Sequence, residues 1–187
     1  MALAFMTAAL AGCTSNDEDD SDNDSSDETD VVADVVKIGF LNPATGPLAQ
    51  DAAGFEYGAL QAVIDLNAAQ NTTTFEAVVA DSGCDGTTGA AAAQTLADAG
   101  VVAVAGAACS GASMAANAVL SAAGIPMISY ASTNPSLSNA TAYPDFFRVV
   151  PSDSIQGPAA AAMMAILDAE SPAILHMTND YGSGFAD

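Results

Sequence analysis

From residue 35 onward, short apolar and β-branched runs alternate with longer alanine-rich runs of helical period. Residues 35–41 (VVKIGFL) predict a first strand, followed by a loop holding Asn42-Pro43 and Gly46-Pro47. Residues 51–69 predict a helix, with Phe55, Ala59, Val63 and Leu66 on one stripe. Residues 75–81 read as a second strand, 86–99 as a helix ended by Gly100 as its C-cap, and 101–105 as a third strand. A helix at 110–123 stopped by Gly124 and a strand at 125–129 come next. Beyond them the pattern predicts a strand at 146–150, a helix at 155–169, a strand at 172–177 and a helix starting after Gly184. Short strands joined by crossovers of ten or more residues imply right-handed βαβ units and a parallel sheet. The expected class is α/β, doubly wound. Because the last helix has barely begun at Asp187, the chain is expected to be truncated at its C-terminal end.

Residues 1–34 follow a different rule. Residues 1–12 are a short apolar stretch ending in small residues, and Leu10-Ala11-Gly12-Cys13 resembles the lipobox of prokaryotic lipoproteins. That resemblance implies a signal segment at 1–13 and lipid on Cys13, although no Lys or Arg precedes the apolar run. Residues 14–34 are Asp, Ser, Asn and Glu with almost nothing apolar. Such a segment buries too little surface to offset its ordering entropy, and its like charges keep it extended. It is expected to be a disordered acidic tether between a lipid anchor and the domain. The protein would then be exported and held at the outer face of the cytoplasmic membrane.

Charge narrows the partners. The chain has 187 residues, 2 Lys or Arg against 23 Asp or Glu, and a net charge of −21. Phosphate contacts need Lys and Arg, so nucleic acid is excluded as a partner. Cysteine counting adds a constraint. Of three Cys, one is left over unless Cys13 is modified; Cys84 and Cys109 then remain as a pair, able to bridge outside the cell or to stay as buried thiols.

In an open parallel sheet, ligands sit outside the carboxyl ends of the strands. Three loops there are unusual. After the third strand comes Gly106-Ala107-Ala108-Cys109-Ser110-Gly111, with Ser110 expected to cap the following helix. Free amides and the positive end of the helix dipole make that a receptor for a carboxylate. After the fourth strand comes Tyr130-Ala131-Ser132-Thr133-Asn134-Pro135, rich in hydroxyls. After the last comes Asn179-Asp180-Tyr181-Gly182-Ser183-Gly184.

Residues 38–186 resemble the branched-chain amino acid-binding proteins of ABC importers, which have the two-lobed type I periplasmic binding protein fold. The matching residues are Gly46-Pro47-Leu48, Asp81 through Cys84-Asp85, Cys109-Ser110, Ile128-Ser129 to Thr133-Asn134-Pro135, Arg148, Gln156-Gly157-Pro158 and Tyr181-Gly182. The resemblance implies a ligand-binding lobe at 35–151, with a crossing at Pro151 to Ser154 into a second lobe begun at 152–187. It implies a disulfide between Cys84 and Cys109. Ser110 and Thr133 would hold an α-carboxylate, while the Ala131 carbonyl and the Thr133 hydroxyl would accept from an α-ammonium. Tyr181 would cover the ligand, and Cys109 would stand beside it. Asp51 occupies the position where several relatives carry an aromatic against the ligand side chain, which leaves room for a polar ligand.

The function expected is capture without chemistry: lobes close around an amino acid or similar small zwitterion and present it to ABC permease subunits. The alternative is a sensor ectodomain of the same fold. An enzyme is disfavoured, because the run around Ser110 lacks the glycines of G-x-S-x-G and the only base, His176, is expected mid-strand. No G-x-G-x-x-G follows the first strand and no His/Cys cluster suggests a metal, so neither cofactor nor metal is expected.

Overall fold

The computed structural model of the chain describes residues 34–186. The signal segment, nearly all of the tether and Cys13 lie outside the described residues. Five strands alternate with helices: β1 (Asp34–Asn42), α1 (Ala52–Ala68), β2 (Thr73–Asp81), α2 (Gly86–Asp98), β3 (Ala103–Ala105), α3 (Ser110–Ala122), β4 (Met127–Ser129) and β5 (Phe146–Arg148). A 3₁₀ turn at Pro135–Ser138 precedes β5; α4 (Gln156–Ile166) and α5 (Asp180–Ala186) follow it. The sheet order is β2-β1-β3-β4-β5, with every adjacent pair parallel. This is the α/β parallel sheet that the alternation predicts.

The order reverses direction once. The chain goes from β1 outward to β2, then crosses back to β3 on the other side of β1 and runs on to β5. Loops leaving β1 and β3 therefore diverge and leave a crevice at the carboxyl edge.

Caps explain where the helices begin and end. Asp85 accepts from the amides of Thr87 (2.8 Å) and Thr88 (3.0 Å), satisfying two orphan donors at the head of α2. After α2 and α3 the backbone turns left-handed at Gly100 (φ +76°) and Gly124 (φ +70°), where a side chain would be strained. Lys37 Nζ donates to the Ala99 carbonyl at 3.1 Å, placing a cation at the negative end of α2.

The core lies on the face covered by α2 and α3, where Leu41, Leu96, Val104, Leu120 and Met127 are each 1% exposed or less. The two helices pack closely because Gly89 presents no side chain; a Cβ there would stand 3.0 Å from the Ala112 backbone. The opposite face is covered by α1 at β1 and β2. On the stripe expected for α1, Phe55, Ala59 and Val63 are half-buried, but Leu66 is exposed. Phe40, Phe55 and Tyr130 gather there around an apolar hollow of about 380 Å³. Burial pushes the Tyr130 phenol well above its usual value.

Three expectations fail. Residues 172–177 form no strand, and Ile174, Leu175 and Met177 are exposed. A strand exists only through ladder bonds, and all five described strands belong to a sheet that ends at β5. His176 accordingly lies in exposed, irregular chain, with Nδ1 2.9 Å from the Met177 carbonyl oxygen. The final helix starts at Asp180, ahead of Gly184, because the Asn179 side chain accepts from the Gly182 amide (2.9 Å) and opens it.

Candidate functional site

A cleft of about 460 Å³ opens at the carboxyl edge of the sheet. Its walls are the loops after β1 (Pro47, Leu48), β2 (Cys84 to Gly86), β3 (Ala108 to Gly111) and β4 (Ala131, Thr133). Gln156 at the head of α4, and Met177 with Asn179 to Tyr181, close the far side.

Buried hydroxyls brace these loops from behind. Ser113 Oγ (3.1 Å), Ser129 Oγ (2.6 Å) and Ser132 Oγ (3.1 Å) all reach the Ala107 carbonyl oxygen. Ser132 Oγ also lies 3.2 Å from the Ala108 carbonyl oxygen and 2.8 Å from Ser113 Oγ. This network ties the β3–α3 loop, α3 and the β4 loop together, so two loops that line the cleft share one support. Ser129 also accepts from the buried Ser132 amide at 2.9 Å. Ser129→Ala leaves that amide without its acceptor and takes the shortest of the three bonds from the Ala107 carbonyl. It is expected to lower stability by roughly 1–3 kcal/mol, read from urea unfolding; an unchanged midpoint would show that the network carries no energy.

The rim is held by Asp81, which accepts from the Thr45 hydroxyl (2.7 Å), the Thr45 amide (3.1 Å) and the Gly83 amide (2.9 Å). Burial alone would raise the Asp81 carboxyl; the bonds from Thr45 and Gly83 outweigh it and hold the group below its ordinary value. The loop after β1 is thereby fixed beside the loop after β2. The latter is joined to the β3 loop by the disulfide Cys84–Cys109, with Cα atoms 5.2 Å apart.

Of the residues singled out from sequence, Cys109, Ser110, Ala131, Thr133 and Tyr181 all line the cleft, as does Cys84. Asp51 does not. It stands exposed at the head of α1, where its side chain makes no cap bond, because the loop after β1 meets the cleft at Pro47 and Leu48. Ser110 departs from its expected role as N-cap. Cys109 holds that position in extended conformation, and Ser110 is the first residue of α3. It is 1% exposed, deep in the floor, and its Oγ accepts from the Asn134 amide at 3.3 Å. Tyr181 stands 39% exposed on the far wall, in the first turn of α5.

Sequence reasoning placed no ligand role on Gln156, Met177 or Asp180, although Gln156 lay in a quoted motif and Asp180 in a quoted loop. Asp153 was missed altogether. It is 2% exposed; its Oδ2 accepts from the Thr133 hydroxyl at 2.7 Å, and its amide donates to the Thr133 carbonyl at 2.9 Å. Arg148 completes the support by donating to the carbonyls of Ser132 (3.4 Å) and Asn134 (3.0 Å). Burial draws the Arg148 guanidinium down from its usual value, and the nearby Asp153 carboxylate opposes that. Among the described residues no cluster of His, Cys, Asp and Glu could hold a metal ion.

Residues 56–187 match the family described as "Receptor family ligand binding region". Similar proteins include the leucine-, isoleucine-, valine-, threonine-, and alanine-binding protein of Pseudomonas aeruginosa, 33% identical over 83% of this chain and 42% of that protein. The Leu/Ile/Val-binding protein of Escherichia coli K12 is 34% identical over 83% of this chain and 43% of its own length. Among solved structures, a branched-chain amino acid transporter substrate-binding protein of Streptococcus pneumoniae in complex with isoleucine superposes with a TM-score of 0.67. It is 29% identical, over 81% of this chain and 44% of that one. A substrate-binding protein of an ABC transporter from Desulfitobacterium hafniense, in complex with Leu, gives a TM-score of 0.61 and 30% identity over 82% of this chain and 44% of that one. The chain spans less than half the length of these relatives.

Proposed function

Since the chain belongs to the family of receptor ligand-binding regions, with the fold of type I periplasmic binding proteins, we propose that it is part of an extracytoplasmic solute-binding protein. Its ligand is an amino acid or a related small zwitterion, delivered to an ABC importer by closure of two lobes. Residues 35–151 supply one lobe and 152–187 begin the other. Lipid on Cys13 holds the protein at the outer face of the membrane, with residues 14–34 as the tether.

One observation carries this reading: the cleft at the strand ends brings two hydroxyls of different loops, Ser110 and Thr133, to one space faced by Tyr181. The head of α3 adds amides and the positive end of its dipole to the same floor. A carboxylate on that floor and an ammonium toward the Ala131 carbonyl and Thr133 hydroxyl would be satisfied together, and buried polar groups reject ligands that leave them unpaired. The same geometry would serve a sensor ectodomain, a use that the receptor-family match also supports. Copurification with permease subunits favours import over that role.

The test is thermal unfolding of the full-length protein with each of the twenty standard L-amino acids. At saturating ligand at least one should raise the midpoint by several degrees, as mass action requires of anything that binds only the folded state. No shift with any of them would overturn the reading.

A further inference from the structure

The two hydroxyls of the cleft have had their polarity set by different partners. Ser110 Oγ accepts from the Asn134 amide, so its single proton is free to be donated. Thr133 Oγ1 spends its proton on Asp153 Oδ2 at 2.7 Å and can offer the cleft only lone pairs. We propose that Asp153 is a positioning residue that commits the Thr133 proton, so that the site takes 2-amino acids and turns away the 2-oxo acids of the same shape. This rests on the amino-acid reading above and adds the group that enforces it.

The geometry leaves Thr133 little freedom to do otherwise. Its carbonyl accepts from the Asp153 amide at 2.9 Å, and its neighbours' carbonyls are held by Arg148. Asp153 is itself 2% exposed, and its second oxygen has no hydrogen-bond partner among the described residues. No competing bond draws the carboxylate away from the threonine. An ammonium opposite Thr133 brings donors to the waiting lone pairs. The ketone oxygen of a 2-oxo acid brings only an acceptor, so two acceptors face each other in a desolvated space, and the unpaired groups weaken binding. Ser110 meets the carboxylate common to both ligands and does not discriminate between them.

The full-length protein is titrated calorimetrically with whichever standard L-amino acid binds best and with the 2-oxo acid of identical side chain. Wild type should prefer the amino acid by at least a hundredfold. Asp153→Asn, whose amide can donate to Thr133 and free its proton, should shrink that preference at least tenfold; Asp153→Ala serves as a second variant. In a Thr133→Val background the Asp153 change should alter the preference by less than twofold, since the hydroxyl through which it acts is gone. A purely structural role would weaken both ligands alike and leave their ratio unchanged, which overturns the proposal. An equal shift of the ratio with and without the Thr133 hydroxyl also overturns it. Failure to bind any amino acid instead defeats the broader reading of the cleft.

Discussion

Replacing Cys84 and Cys109 together by serine is expected to lower the stability of the full-length protein by about 3.5 kcal/mol. The bridge closes a loop of sequence separation 25, and releasing it returns that closure entropy to the unfolded chain. A second effect is local. The bridge joins the loops after β2 and β3, both walls of the cleft, so the serine variant should also bind more weakly than its loss of stability alone explains. Urea unfolding of both proteins under oxidising conditions measures the first quantity. A difference below 1 kcal/mol would mean that the bridge adds little to the stability of the fold.

The second large effect lies in the floor itself. Ser110→Ala and Thr133→Ala should each weaken binding of the best-bound amino acid by roughly 1.5–3 kcal/mol, about 10- to 150-fold in Kd, because in the proposed binding mode each removes a hydrogen bond to a charged ligand group. The two need not be equal. Thr133→Ala also strips Asp153 of the hydroxyl that donates to its Oδ2, whereas Ser110→Ala also removes an acceptor for the Asn134 amide. Calorimetry on folded variants decides the matter. Wild-type affinity in both would take the loops after β3 and β4 out of the binding surface.

Much of the framework was legible in the chain because it is written locally. Apolar runs and helical stripes mark β1 to α3, and Gly100 and Gly124 act at the ends they touch. Boundaries moved where backbone bonding decides. The strand expected at 125–129 begins only at Met127, since Pro126 has no amide to give a ladder. Residues 172–177 show the converse: their composition suits a strand, but pairing depends on partners distant in sequence that no local pattern announces. The cleft was readable in the loops after β3 and β4, because parallel topology sends both to one edge; Asn179 to Tyr181 reach it without following a strand of the sheet. Asp153 was not, for it lies 20 positions from Thr133 and its significance arises only when the β4 loop folds back upon it. Asp51 misled in the opposite direction: its position in the first loop stands for a place in the pocket only if that loop enters the cleft there, and it enters at Pro47 and Leu48.

The convergence of Ser113, Ser129 and Ser132 on one carbonyl oxygen has a consequence for which positions can change. None of the three can be exchanged without disturbing the other two, so the support shared by the loops after β3 and β4 is poor ground for variation. Novelty is cheaper at the margins, around Leu48 and Tyr181, whose side chains stand partly in water. A single frozen base can thus carry a rim that is free to vary.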